Sequence, residues 1–353
     1  MQTFDIIKSV NPKKTFRVAS VLGKFDLQSE NIVENFKGEL NIDFDWKVGL
    51  IVGKSGTGKT TISKQLFPDS YITNFKYEAE TILDDMPKEC SLEQITSTFN
   101  SVGFSSPPSW LKPYSVLSNG QKMRVDLARA ILDNNKLFVF DEFTSVVDRQ
   151  VAQIGSFAMQ KAIRKSDKQF IAVTCHFDVQ DWLLPDWVFN TDTMTFQSFE
   201  GQKKNRPEIK FEIFKYGDKT IWKMFAKHHY LSHTHNNAAN VFIALINNEV
   251  AGFLSVLHLP NRDPTIKKVH RLVILPDYQG AGFGIKFLNE IGKIYKLEKW
   301  RFTISTSSPS LIYSLKRNNI WRCNHFGRTT KHKGLSKMEH SGANRITASF
   351  ELK

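Results

Sequence analysis

The sequence predicts an α/β protein built as two successive domains, and three observations carry that prediction. Over the first two hundred residues, strand-length apolar runs (Val48-Gly49-Leu50-Ile51-Val52, Leu137-Phe138-Val139-Phe140 and residues 170–174) alternate with helical patterns. That alternation is the mark of a largely parallel sheet covered by helices. Further on, residues 240–247 and 249–259 read as a hairpin around an Asn-Asn turn, with residues 268–275 as a third strand and a glycine-rich helix start after it. Finally, the charge is divided unevenly. Residues 1–200 hold 22 Lys+Arg against 25 Asp+Glu, whereas residues 201–353 hold 26 against 10.

A chain of 353 residues is long enough for about two cores. The break is expected in the polar, basic stretch Glu200-Gly201-Gln202-Lys203-Lys204-Asn205-Arg206-Pro207, giving domains of residues 1–203 and 204–353. The second includes a basic C-terminal extension. No apolar run approaches the ~18–20 residues that cross a bilayer, and the N-terminus lacks the pattern of a signal peptide. Three widely spaced cysteines (Cys90, Cys175 and Cys323) indicate neither a disulfide framework nor a zinc knuckle. The expected setting is cytoplasmic, without a membrane partner. Nine of the ten histidines fall in the basic second part. Such a charge division points to a polyanion partner for that part, with a merely solubilising surface as the other reading.

Gly53-Lys54-Ser55-Gly56-Thr57-Gly58-Lys59-Thr60 satisfies GxxxxGK[ST] between a strand and a helix that continues through Thr61. Glycines there let backbone N–H groups turn onto phosphates, and the helix start adds partial positive charge. Lys59 would reach the β- and γ-phosphates, and the Thr60 hydroxyl would meet Mg²⁺. The strand at residues 137–140 ends in Asp141, placed for Mg²⁺, and Glu142, placed to orient or deprotonate a water. Leu117-Ser118-Asn119-Gly120-Gln121 opens a helix whose Ser118 and Gln121 spell a capping box, a second phosphate-binding helix start. Because the P-loop already surrounds the phosphates, this start is explained most simply if it closes over a nucleotide held by another protomer. His176 follows the strand at residues 170–175, within reach of a γ-phosphate.

These segments, with Asp148 in the turn after Glu142, resemble ABC ATPases in order and spacing over roughly residues 1–200. The resemblance implies a P-loop ABC nucleotidase domain that binds ATP and Mg²⁺ and forms a head-to-tail homodimer. In that arrangement Ser118, Gly120 and Gln121 contact the partner's ATP and Asp148 lines the seam. Asn119 departs from the usual glycine. The glutamine that senses the γ-phosphate has no evident counterpart, since the nearest, Gln94, lies in a helix-like stretch at residues 91–100. The insert between Lys59 and Ser118 is shorter than in a transporter engine.

In the second domain, Leu272-Val273-Ile274 and the turn Gln279-Gly280-Ala281-Gly282-Phe283-Gly284 form a strand, a glycine-rich turn and a helix start. With the preceding hairpin, the following strand at residues 300–306 and the helix at residues 309–318, they resemble the GNAT acetyltransferases. The resemblance implies an α/β fold in which that turn holds the pyrophosphate of acetyl-CoA or another acyl-CoA. The family's Tyr general acid would correspond to Tyr313, which otherwise packs; the Gly-Phe pair that usually follows is Asn319-Ile320, in a shifted register. His228-His229-Tyr230-Leu231-Ser232-His233-Thr234-His235 would face the acceptor. His229 or Tyr230 would act there as base, metal ligand or stacking platform, unless the segment is only a polar loop. This segment, Arg271 and the C-terminal residues from Arg345 to Phe350 are loosely similar to phage Mom-type proteins, which modify DNA adenine. Lys316, Arg317, Arg322, Arg328, Lys331 and Lys333 agree with a nucleic-acid partner.

The function these features imply is an ATPase fused to an acetyltransferase that modifies a nucleic-acid base, with ATP-driven dimerisation. The alternatives are a non-catalytic nucleic-acid-binding ATPase and an acetyltransferase for a protein or small amine. A transporter ATPase is disfavoured by the short insert and the basic second domain.

Overall fold

The computed structural model describes residues 2–10, 13, 15–26, 32–202, 207–229, 233–258, 263–328 and 346–353. The strands are β1 (Gln2–Val10), β2 (Ile32–Leu40), β3 (Val48–Val52), β4 (Leu137–Phe140), β5 (Gln169–Thr174), β6 (Trp187–Asn190), β7 (Thr195–Ser198), β8 (Phe211–Tyr216), β9 (Asn240–Ile246), β10 (Glu249–His258), β11 (Ile266–Ile274), β12 (Arg301–Thr306), β13 (Trp321–Arg328) and β14 (Ile346–Leu352). The α-helices are α1 (Phe16–Lys24), α2 (Lys59–Leu66), α3 (Leu92–Ser101), α4 (Pro107–Trp110), α5 (Asn119–Leu132), α6 (Arg149–Ile163), α7 (Val179–Leu183), α8 (Trp222–Ala226), α9 (Phe283–Leu297) and α10 (Pro309–Lys316).

Two compact units result. The first comprises Met1–Phe75, Asn134–Asp148 and Ile163–Arg206; the second comprises Lys76–Asp133, Arg149–Ala162 and Pro207–Lys353. The cut expected near residue 203 divides the sequence motifs. In space, however, two pieces of the first two hundred residues cluster with the C-terminal part. Apolar faces on α3, α5 and α6 pack where the chain offers them a partner, and sequence order does not set that choice.

In the first unit, β4-β5-β3-β6 run parallel and β7 closes the sheet antiparallel to β6. Strand β3 is buried at all five positions, which is why it reads as an unbroken apolar run. Its one small residue, Gly49, is required because a Cβ there would lie 2.2 Å from the Trp187 ring. Phe36, Ile51, Ile62, Val173 and Phe189 share the core cluster of this unit. The antiparallel ribbon β1–β2, with α1 between its strands in the chain, has no counterpart in the sequence reading.

In the second unit the sheet order is β13-β14-β12-β11-β10-β9-β8. Hairpin β9–β10 turns on Asn247 and Asn248, both left-handed at φ 49° and 69°, as expected for an Asn-Asn turn. Strands β11 and β12 run parallel but pair only at Ile266↔Arg301, Lys267↔Phe302 and Lys268↔Thr303. Beyond those pairs they part, leaving a wedge between them. Helix α9 presents Phe287, Leu288, Ile291 and Tyr295, an i, i+1, i+4, i+8 stripe, to the core of this sheet. No described helix is long and apolar enough to cross a membrane.

Candidate nucleotide and acyl-CoA sites

The P-loop follows β3 and ends at Gly58, the left-handed first residue before α2 (φ 84°), with no side chain capping the helix. Its N–H groups are therefore left for a ligand. A Cβ at Gly58 would lie 2.5 Å from the Phe36 ring, so sterics and φ both demand glycine. Thr57 Oγ1 lies 2.5 Å from Thr191 Oγ1, and the Lys54 N–H donates to Asp192 Oδ1 at 2.7 Å, pinning the loop to the β6–β7 turn. Lys59 is buried, its Nζ donating to the Lys54 carbonyl at 2.6 Å. Gly53 lies against Thr191, whereas Gly56 faces open space, with no atom within 4 Å of where a Cβ would stand.

The Thr60 hydroxyl donates to Asp141 Oδ2 at 2.7 Å. Two hard oxygen donors thus meet, a set that fits Mg²⁺. Tyr71 also donates to Asp141 Oδ2, at 2.5 Å. Burial, and then Asp141, push the Tyr71 phenol well above its ordinary range, so it stays a donor. Sequence reasoning missed Tyr71. The only signal was a tyrosine shortly after the P-loop helix, which meets the edge of β4 through a parallel bridge to Val139. Glu142 is exposed and left-handed (φ 52°), with its N–H on Asp141 Oδ1 at 2.8 Å. Next to it, Thr144 is fully buried at φ 68°, which marks strain in the turn that leads to Asp148. His176 is half-buried just past β5, its N–H on Thr174 Oγ1.

In the second unit, Ser118 and Gln121 form a complete capping box at the start of α5. The Gln121 N–H is thereby used, leaving those of Asn119 and Gly120 without an intrahelical acceptor. Gln94 makes the same motif with Ser91 at the start of α3, so its amide oxygen serves a helix cap.

A cavity of about 370 Å³ lies in the wedge. Leu272, Val273, Ile274, Gln279, Gly280, Gly282, Phe283 and Gly284 line it; Ala281 does not. Gly280 and Gly282 are left-handed at φ 85° and 97°, and α9 starts at Gly282 with no side-chain cap. This repeats the device of the P-loop and suits a pyrophosphate in the same way. Tyr313 is not among the lining residues. Ser310, Leu311 and Ser314 form the cavity face of α10, while Tyr313 is 61% exposed with its hydroxyl bonded to Arg317.

His228 and His229 line the same cavity, with His270 and Arg271. Tyr230 lies outside the described residues, as do Lys331, Lys333 and Arg345. The end of the histidine-rich segment is tied down. Trp222 Nε1 donates to the His233 carbonyl at 2.6 Å, and Arg271 Nη2 to that of Thr234 at 2.9 Å. The Asn236 N–H donates to His270 Nε2 at 3.2 Å, which puts the proton of the neutral ring on Nδ1. His270 sits on a bulge, since Ser255 pairs Arg271 and Val256 pairs Val269. Burial, then Arg271, His235 and His229, bring its pKa down to about 4. His270 was also missed, although the adjacent polar pair His270-Arg271, set between Val269 and Leu272, breaks the strand alternation and signals a bulge. Among the described residues no cluster of metal-ligating side chains occurs.

The ABC transporter family model matches residues 64–145, and the Acetyltransferase (GNAT) family model matches residues 203–300. The chain is 24% identical to the ATP-dependent bile acid permease of Saccharomyces cerevisiae, over 32% of this chain and 10% of that protein. It is 26% identical to the energy-coupling factor transporter ATP-binding protein EcfA of Malacoplasma penetrans, over 49% of this chain and 71% of that protein. Similar solved structures include an IAA acetyltransferase from Bacillus cereus (16% identity, 41% of this chain and 99% of that one, TM-score 0.30). A bacterial ABC transporter cassette solved as a dimer is another (18% identity, 52% and 94%, TM-score 0.36). Residues 64–145 therefore carry an ABC-family segment, and a GNAT-family segment at residues 203–300 follows it in the same chain.

Proposed function

We propose that the chain hydrolyses ATP in a nucleotide-bridged homodimer and uses acetyl-CoA, or another acyl-CoA, to acylate a base of DNA or RNA. The cavity in the wedge carries this reading: its turn of left-handed glycines opens an uncapped helix, and the buried His229 lies on its wall with the half-buried His228 and His270. Mg²⁺ held by Thr60 and Asp141 would neutralise phosphate charge. Glu142 orients the attacking water, His176 faces the γ-phosphate, and Ser118, Gly120 and Gln121 meet the nucleotide of a second copy. Asp148 lines the seam between them. His229, on the cavity wall near His270, is the residue placed to take a proton from an acceptor amine. A cytoplasmic setting suits both nucleotide substrates.

Support for a nucleic-acid acceptor comes from the edge formed by α10 and β13. Lys316, Arg317, Arg322 and Arg328 gather there with the exposed rings of Tyr313 and Phe326, and Lys316 Nζ lies 3.5 Å over Phe326. Cations interleaved with exposed aromatics suit a strand of bases and phosphates. The test supplies labelled acetyl-CoA and ATP to the purified chain with DNA, RNA, a mixed protein extract and small amines. Label in nucleic acid is expected. Label only in protein or amine overturns the acceptor, and no label in any of them overturns the transferase reading.

A further inference from the structure

The glycine turn of the acyl-CoA cavity is supported from behind by residues outside the GNAT segment. Ser105 N–H donates to Gln279 Oε1 at 3.1 Å, and Lys161 Nζ donates to the Ala281 carbonyl at 3.2 Å. Gly103 and Gly280, left-handed at φ 86° and 85°, meet backbone to backbone. A Cβ on Gly280 would lie 2.9 Å from Gly103 Cα, and one on Gly103 would lie 2.8 Å from the Gln279 carbonyl oxygen. Arg124, 1% exposed, donates to the Asp277 carbonyl at 3.2 Å and pairs with its carboxylate at 3.5 Å. Asn100 and Ser105 line the cavity beside Gln279 and Gly280.

Arg124 stands six residues after Ser118 on α5, about 9 Å along the helix axis. That helix is stiffened on its other side. Asp126 accepts from Tyr77 at 2.6 Å and from Tyr114 at 2.8 Å, whose rings stack at 3.9 Å. A displacement of the Ser118 end is thus carried rigidly to Arg124, and from there to the turn that receives the pyrophosphate. Close backbone packing at Gly103 and Gly280 leaves no slack to absorb it.

We propose that the acyl-CoA site is shared between the two halves of the chain. Asn100 and Ser105 form one wall, and Arg124 is the positioning residue that makes acyl-CoA affinity depend on the nucleotide met by α5. This rests on the dimer and acyl-CoA readings above. Coupling of this kind is reciprocal: ATP must change CoA affinity by the same factor as CoA changes ATP affinity.

The experiment titrates CoA into the full-length Glu142→Gln chain by calorimetry, with and without ATP and Mg²⁺, and ATP with and without CoA. A matching change of about fivefold or more in both titrations is expected. Asp277→Asn, at an exposed carboxylate that can be altered without emptying the core, should bring both ratios towards one, and Arg124→Ala should do so if it folds. Asn100→Ala should weaken CoA about two- to tenfold without nucleotide, the worth of one hydrogen bond. CoA binding with a ratio of one overturns the linkage, and an unchanged affinity in Asn100→Ala overturns the shared wall. If CoA does not bind in either state, the acyl-CoA reading itself fails.

Discussion

Asp141 accepts hydrogen bonds from Thr60, Tyr71 and the Glu142 N–H, so a single carboxylate organises the end of β4. Removing the Tyr71 hydroxyl would leave Asp141, the proposed Mg²⁺ ligand, less firmly oriented. Tyr71→Phe should raise the Mg²⁺ concentration for half-maximal hydrolysis about tenfold, the lower end of such second-sphere effects. Metal-free nucleotide binding should be unchanged, and a flat Mg²⁺ response would reject this role. Glu142→Gln removes the group proposed to orient or deprotonate water and should slow hydrolysis about 10²–10⁴-fold. It should also hold the ATP-bound dimer, visible by light scattering. A variant that stays monomeric with ATP at every concentration would disprove the nucleotide sandwich. At this scale the sequence was most legible for the P-loop, because glycine and lysine at fixed offsets have few other uses. It was least legible for Tyr71 and His270, whose roles depend on neighbours brought from distant strands.

Helix starts separate the elements by purpose. Helices α2 and α9 begin at left-handed glycines without a side-chain cap, whereas α3 and α5 carry complete capping boxes. Ser118→Ala should therefore cost about 1 kcal/mol in denaturant melts and, separately, weaken ATP-dependent dimerisation. Loss of stability with dimerisation intact would restrict Ser118 to capping. The bulged strand β11 has its own signature in pH. His228, His235 and His270 all have pKa values below the ordinary 6.5, through burial first and then neighbouring Lys or Arg side chains. The unfolded chain binds their protons below pH 6.5 while the folded chain resists until about pH 4 at His270. Stability is thus complete above 6.5 and lost as pH falls towards 4. Urea midpoints should decline over that window, and His270→Gln should shallow the decline. An identical profile would show that His270 does not contribute. Element positions were legible wherever apolar period and turn chemistry agreed, as in the β9–β10 hairpin. The ribbon β1–β2 was not, because much of its apolar surface stays exposed, with Ile7 at 67% and Val33 at 59%.

Over the whole molecule, the charge division meets the surface at the α10–β13 edge. If a polyanion binds there, its affinity should fall steeply as salt rises, and Arg317→Ala should reduce the slope of log K against log salt by about one. A salt-independent affinity would exclude phosphate contacts. Motif order alone was enough to recognise an ABC-type ATPase followed by a GNAT domain, because phosphate-binding turns and strand-end carboxylates are local patterns. The grouping of residues 76–133 and 149–162 with the C-terminal part could not be read that way. Arg124 looks like an ordinary helix residue until Asp277, 153 positions away, lies against it. Gly103 is an ordinary turn glycine until Gly280 faces it. Local chemistry is written in consecutive residues, whereas the choice of packing partner is made by surfaces that exist only once the chain has folded.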